Sequence, residues 1–561
     1  MKLVECVPNF SEGRDRAVID AIARAIESVD GVRLLDVDPG VATNRTVVTF
    51  VGTPAAAAEA AFRAIRTAGE RIDMRQHRGE HARLGATDVC PFVPLGDATM
   101  EDCVALAREL GARVGRELEI PIYLYEAAAL HPERRNLATI RAGEYEGLEA
   151  KLRDRAWKPD FGPARFDAAR GATVIGARPF LVAYNINLNT RDKRLANDIA
   201  LDLRESGRAA RDASGAIVRD AAGKPVLRPG RFPHLKAVGW MIEEYGRAQI
   251  SINFTNTDVT PVHVVFDAAC AEAERRGLRV TGSELVGLVP RGVMLAAGRH
   301  YLRKQGKSAG APEAELIHVA VLSLGLGELK PFIASERIVE DRVRGTAGMR
   351  LQSLSLGDFA DELSTDSPAP GGGSVAALVG ALGAALAAMV ANLSHRPGSS
   401  SEIEELAIAA QSIKSELLAA VDRDAAAFDA VLAARRLPKA TGAAASTRDA
   451  AIRAALREAC GVPLGVAQAA ARAAEAARAA ARVGIAAAQS DAGVAALCAA
   501  TAAEGAYYNV LINLAELTDP ADAEFVRTTR DAGQTACDQA QAAAETVRTT
   551  VRGGLAPAPA P

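Results

Sequence analysis

At 561 residues the chain has room for roughly three or four domains of ordinary size, and its 49% hydrophobic residues can build sizeable cores. A formal net charge of −3 excludes a globally basic nucleic-acid coat, though not a local anion-binding cleft. The seven cysteines are odd in number, far apart and without C-x-x-C spacing, which argues against a disulfide framework or zinc knuckle and for reduced thiols in a cytoplasm.

The opening "MKLVECVPNFSEG" meets an acid at Glu5 and a proline at Pro8, so it is not expected to act as a signal peptide. "KLVECVPNFS" predicts a strand, and a helix follows with Val18, Ile22, Ile26 and Val29 at helical spacing. "VRLLDVD" and "RTVVTFVG" are two further strands, and Thr53-Pro54 starts a second helix carrying Ala58, Phe62, Ile65 and Ile72 on one side. "VCPFVPL" reads as a strand interrupted by prolines, expected to be short or at an edge. The order β-α-β-β-α-β is that of a ferredoxin-like subdomain, assigned to residues 1–180. A second α/β subdomain is expected over 181–343, with "RDASGAIVRDAAGKPVLRPG" as a protruding hairpin. A linker is placed at 344–350, after which alanine dominates and 351–554 predicts an all-α bundle. The uncharged run Val375–Leu393 imitates a membrane span, but its alanines and glycines suit the close-packed interior of a bundle, so no membrane partner is expected. "LAPAPAP", 555–561, has no means to pack and is expected to be a disordered tail.

His77, Glu80 and His81 spell H-x-x-E-H, a pattern that binds zinc when carried on a helix. Gly79 interrupts the motif and no apolar stripe follows, so a catalytic loop histidine or two solvated histidines are the better readings. Asp36 and Asp38 are two apart on a strand and share a face, with Leu35 and Val37 on the other; one carboxylate could orient an imidazole, or simply serve the turn. Asp424 falls on the helical stripe Leu417, Val421, Asp424, Phe428, where an acid must be paired, protonated or facing a cleft. Gly371, Gly372, Gly373 and Ser374 feed a helix N-terminus whose free N–H groups attract carboxylates or phosphates, although a plain turn is equally served. Arg165, Arg170 and Arg178 among glycines and Phe166 suit an aromatic anion or an ordinary surface loop.

The stretches "LVECVPNFSEG", "LLDVDPGVATNRTVVTFVG", "HRGEHARLGATDVCPF", "RAGEYEGL" and "PDFGP" resemble glutamate formimidoyltransferases. "SPAPGGGSVAALVGALGAALAAMV", "VDRDAAAFDAVL", "RLPK" and "GAYYNVLINL" resemble formimidoyltetrahydrofolate cyclodeaminases, and together the motifs resemble the bifunctional formimidoyltransferase-cyclodeaminase family over nearly the whole chain. The resemblance implies transfer of a formimidoyl group from N-formimidoyl-L-glutamate to tetrahydrofolate, followed by closure to 5,10-methenyltetrahydrofolate with loss of ammonia. It implies His81 and Asp38 as transferase residues and Asp424 as the cyclodeaminase acid. It also implies folate binding by Gly162, Pro163, Ala164, Arg165, Phe166, Asp167, Ala168, Ala169, Arg170 and Gly171. The implied co-substrate is a polyglutamylated tetrahydrofolate, with no metal and no nucleic acid. The family forms homo-oligomers, with dimer contacts in both halves and a ring-shaped octamer in animals. A related helical family hydrolyses methenyltetrahydrofolate, so a cyclohydrolase or a non-catalytic scaffold stands as the alternative for the second half.

Overall fold

The computed structural model describes residues 2–41, 43–79, 82–221, 223–344, 351–396, 400–438 and 443–555. His81, most of the expected linker and most of the expected tail lie outside these residues. The chain forms two compact units, Met1–Ala296 with Val321–Gly345, and Ala297–Ala320 with Thr346–Pro561.

The first unit contains two α/β subdomains. Its larger sheet has seven strands: β1 (Lys2–Cys6), β2 (Asn9–Phe10), β3 (Val32–Gly40), β4 (Arg45–Gly52), β5 (Thr87–Gly96), β6 (Ile122–Glu126) and β7 (Thr173–Ala177). β1 and β2 lie between β4 and β5, β3 flanks β4, and β7 and β6 extend the sheet from β5 in parallel. The expectation of a short or edge strand at "VCPFVPL" is therefore corrected: β5 runs for ten residues through the middle of the sheet. A proline lacks only the donor, and Pro91 still accepts from the Val7 amide at 3.2 Å.

Alternation divides the sheet's two faces. Val4, Cys6, Phe10, Val48, Phe50, Cys90 and Phe92 are buried against the helices Arg16–Glu27, Pro54–Arg71 and Met100–Glu117. Each helix starts on a capping side chain, Asp15, Thr53 or Thr99, which accepts from otherwise unpaired first-turn amides. The opposite face carries Glu5, Asn9, Asp36, Asp38, Arg45 and Thr49 into a cleft.

The second subdomain uses β8 (Val182–Leu188), the two-residue strands β9 (Arg208–Ala209) and β10 (Leu227–Arg228), β11 (Leu235–Ile242), β12 (Arg247–Phe254) and β13 (Val280–Val286). Its four-stranded antiparallel sheet runs β11-β12-β8-β13, repeating the order β3-β4-β1-β5 of the first. β9 and β10 pair as the base of the expected hairpin, whose arms are exposed.

The second unit is a bundle of long helices, Gly372–Ser394, Ser401–Arg435, Ala443–Val483, Gln489–Leu514 and Ala523–Leu555, with cores built largely of alanine. Small residues let the backbones approach: a Cβ on Gly383 would meet the Ala495 carbonyl at 2.8 Å. Gly372–Ser394 is apolar and long enough to cross a membrane, yet 61% of its most apolar window is buried within the bundle. Ala297–Ala320, within the second subdomain expected over 181–343, groups by its contacts with this unit. Asn392 Nδ2 and Gln411 Nε2 both donate to the Gly310 carbonyl, at 2.9 and 3.1 Å, and Gly310 backs directly onto Ala407.

Candidate active sites

Between the two subdomains of the first unit lies a cleft of about 690 Å³. Its wall from the larger sheet presents Glu5, Asn9, Asp36, Asp38, Arg45 and Tyr125; the second subdomain adds His234, Lys236 and Asn253.

Asp36 and Asp38 both line the cleft, opposite Thr49 and Val47 of β4. The expectation that Leu35 shares a face with Val37 is corrected. The register shifts between Leu34 and Asp36, a bulge that adds Leu35 to the strand. Leu35 consequently packs with Val51, Leu288 and Val339 on the cleft side, whereas Val37 joins the helix-covered core. Burial raises the Asp36 pKa, and the neighbouring Asp38 raises it further; Arg337 and Arg342 oppose both.

The cleft floor is fixed by a buried ion cluster. Asp88 is fully enclosed and pairs with Arg45 at 2.5 Å and with Arg141. Burial alone would raise the Asp88 pKa, but the two guanidiniums hold it below the ordinary carboxylate range. Glu5, 1% exposed, behaves oppposite to Asp88: burial pushes its pKa up to about 7, with Arg178 lowering it and Glu340 raising it. Glu126 is raised by burial too, against the pull of Lys236, Arg178, Arg135 and His234. This end of the cleft therefore sets Glu126 and Glu205 among Arg135, Arg178, His234 and Lys236.

His77 is buried, with Nε2 2.8 Å from the Asn44 carbonyl and Nδ1 accepting from Arg83 Nε at 3.3 Å. That pairing holds a neutral imidazole with the proton on Nε2, and burial lowers its pKa. Neither ring nitrogen is left for proton transfer or a metal, and His77 is not a solvated loop histidine. Arg83 is clamped by Glu144 and Glu146. Glu80 and His81 lie outside the described residues.

Gly162 to Gly171 does not line the cleft. It docks on the histidine-bearing segment: Met74 N donates to Ala169 O at 2.9 Å, Ala86 N to Arg170 O at 2.8 Å, and Gly85 bridges Gly171. Gly171, at φ +68°, is required there because a Cβ would lie 2.2 Å from Leu84 O. Phe166 packs on Tyr145, whose hydroxyl donates to Ala168 O. Of the three arginines singled out, Arg178 reaches the cleft, Arg170 is held by Asp167 and Leu118 O, and Arg165 is exposed.

In the second unit, two separately identified motifs meet. Ser374 Oγ lies 3.1 Å from Asp424 Oδ2 and from the Val421 carbonyl, and the Ser374 amide donates to the same carboxylate. A Cβ on Gly373 would sit 2.2 Å from Asp424 Oδ1, so the carboxylate rests directly on the first turn of the helix Gly372–Ser394. Asn509 approaches Gly372 from the helix Gln489–Leu514. Burial raises the Asp424 pKa, and the two Ser374 bonds lower it without cancelling the effect. The expected stripe needs one correction: Phe428 is 39% exposed, and the seam continues through Ala427 and Val431 instead, with Ala420, Ala427 and Ala434 buried at a seven-residue step.

The sequence matches three family models: "Formiminotransferase domain, N-terminal subdomain" over residues 3–178, "Formiminotransferase domain" over 183–344, and "Formiminotransferase-cyclodeaminase" over 355–532. It is 45% identical over 523 residues to the formimidoyltransferase-cyclodeaminase of Mus musculus, covering 92% of this chain and 93% of the relative. The Dictyostelium discoideum protein of the same name is 40% identical over 548 residues, 95% of this chain and 96% of its own length. The glutamate formimidoyltransferase of Thermoplasma acidophilum is 45% identical over 312 residues, which make up 55% of this chain and 95% of the relative.

Proposed function

This chain belongs to the formimidoyltransferase-cyclodeaminase family, and from that premise we propose how its two units divide the chemistry. The protein is a bifunctional folate enzyme. It moves the formimidoyl group of N-formimidoyl-L-glutamate to tetrahydrofolate, then cyclodeaminates the product to 5,10-methenyltetrahydrofolate and ammonia. The observation that carries this is identity spanning both units, 45% over 523 residues.

Transfer is assigned to the cleft. The N5 lone pair of tetrahydrofolate adds to the amidine carbon, and the C–N bond to glutamate breaks as its nitrogen takes up the proton that N5 gives up. His81 shuttles that proton and Asp38 orients the imidazole. Support comes from Gly79, two residues earlier, which backs onto the cleft-lining Thr43: a Cβ there would lie 2.2 Å from Thr43 O. The stretch Gly162–Gly171 holds the folate at the border of this loop, supported by its docking on Met74 and Ala86. In the bundle, N10 attacks the same carbon, and Asp424 protonates the departing ammonia from the Gly371–Ser374 loop, supported by the burial that keeps its proton. The strand order β3-β4-β1-β5 supports a ferredoxin-like core for the first subdomain. A polyglutamylated folate, a metal-free mechanism, a cytoplasmic location and a homo-oligomer complete the reading.

The test supplies N-formimidoyl-L-glutamate and tetrahydrofolate and follows methenyl-folate absorbance and ammonia together. Equimolar appearance is expected. Accumulation of 5-formimidoyltetrahydrofolate without ammonia would remove the cyclodeaminase assignment.

A further inference from the structure

The part of the cleft wall that β3 supplies is acidic. Asp36 and Asp38 stand side by side on β3, and among the described residues neither is in an ion pair. The two guanidiniums that act on Asp36 through space donate to carbonyls and not to its carboxylate, Arg342 to Leu35 and Arg337 to Gly287 at 3.5 Å. Glu5, buried to 1% exposure on the same sheet face, is a further cleft-lining acid without an ion pair among the described residues. Such a wall is poorly matched to a ligand that is anionic throughout.

Formimidoylglutamate is not. Its two carboxylates are anionic, but its amidine is a strong base that is cationic at neutral pH and presents N–H donors in a planar fork, as a guanidinium does. A carboxylate accepts from such a fork in two parallel hydrogen bonds. We propose that Asp36 is the residue that recognises the formimidoyl group, pairing with the amidinium of the donor and so selecting it over uncharged acyl-glutamates. This rests on the transferase reading of the cleft.

The charge balance of transfer favours a fixed carboxylate. The donor enters as an amidinium. When N5 adds, a C–N bond forms, the C=N electron pair moves onto nitrogen, and the positive charge passes to N5. Transfer of the N5 proton to the glutamate nitrogen and cleavage of that C–N bond leave free glutamate and an amidinium on the folate. One positive charge stays beside the wall throughout, so Asp36 need not change protonation state. Asp38 remains available to the imidazole.

The experiment compares N-formimidoyl-L-glutamate as substrate with N-formyl-L-glutamate, the isostere whose formyl amide is uncharged, as competitive inhibitor. In Asp36→Asn, kcat/KM for the amidine should fall by ~30-fold or more, because one partner of a desolvated charge pair is gone. The inhibition constant of the formyl compound should move by less than about threefold, showing an intact cleft. Asp36→Glu, which keeps the charge, should fall between wild type and Asn in amidine kcat/KM. Equal losses for both ligands, or no loss for either, would overturn the proposal. A wild-type protein that transfers no formimidoyl group would instead overturn the functional reading.

Discussion

The two units face one chemical demand, a nitrogen that must leave carrying a proton, on opposite electrostatic ground. In the cleft, charges surround charges: Asp88 is held ionised by Arg45 and Arg141, while Glu126 is raised in spite of four nearby basic residues. In the bundle, Asp424 rests on Gly373 and Ser374, and the influences on its proton are burial and the two bonds from Ser374. A proton in the cleft is thus set by a network, and removing one member shifts the load to others. In the bundle it is set by a single solvation balance that small changes reach directly.

The sharpest break in this comparison comes from removing each proton carrier in turn. His81→Ala should lower formimidoyl transfer by ~10²–10⁴ and leave cyclodeamination of added 5-formimidoyltetrahydrofolate intact, as read by ammonia release. His77→Ala, by contrast, should act on thermal stability, since both its nitrogens are already bonded. Asp424→Asn should reverse the pattern, abolishing ammonia release while transfer continues. Next in size is Gly373→Ala, whose methyl would displace the Asp424 carboxylate. Ammonia release should fall roughly tenfold, with the melting temperature close to wild type, if proximity to the loop is what positions the acid.

A finer test is the pH profile of Ser374→Ala. The hydroxyl lowers the Asp424 pKa, so its loss should raise that pKa. A proton donor fails as pH rises through its pKa, so the descending limb of ammonia release should move to higher pH. A downward shift would contradict the assignment.

The smallest effect belongs to Glu5. Its pKa is about 7 in the fold against 4.5 for the free group, so the native state binds the extra proton. Stability contributed by Glu5 is therefore present at low pH and declines as pH rises between those values. Glu5→Gln should raise the first unit's melting temperature at pH 8 by more than at pH 5, an advantage on the order of 2–3 kcal/mol at most.

Asp424 and the glycine loop were legible separately, because helical period and a Gly-Gly-Gly-Ser signature are local patterns. Their meeting was not, since it depends on how two helices pack. Asp38 was legible from strand alternation, but Leu35 was misplaced because a bulge leaves no mark in composition. Glu5 and Tyr125 read as ordinary strand residues. An acid alternating with Val4 and Cys6 was the available sign of Glu5, and it gains meaning only once the opposite sheet face is known to be covered by helices.

The extra residue at Leu35 has a consequence for salt. It places an aliphatic wall beside Asp36, with Val51, Leu288 and Val339 behind it, whereas Arg135, His234 and Lys236 at the cleft's other end are exposed. Mobile ions screen exposed charges over ~8–10 Å at ordinary ionic strength and reach sheltered ones far less. Added salt should therefore weaken contacts made at the cationic end while sparing the one to the amidine, so overall affinity should fall while discrimination between formimidoyl and formyl donors holds.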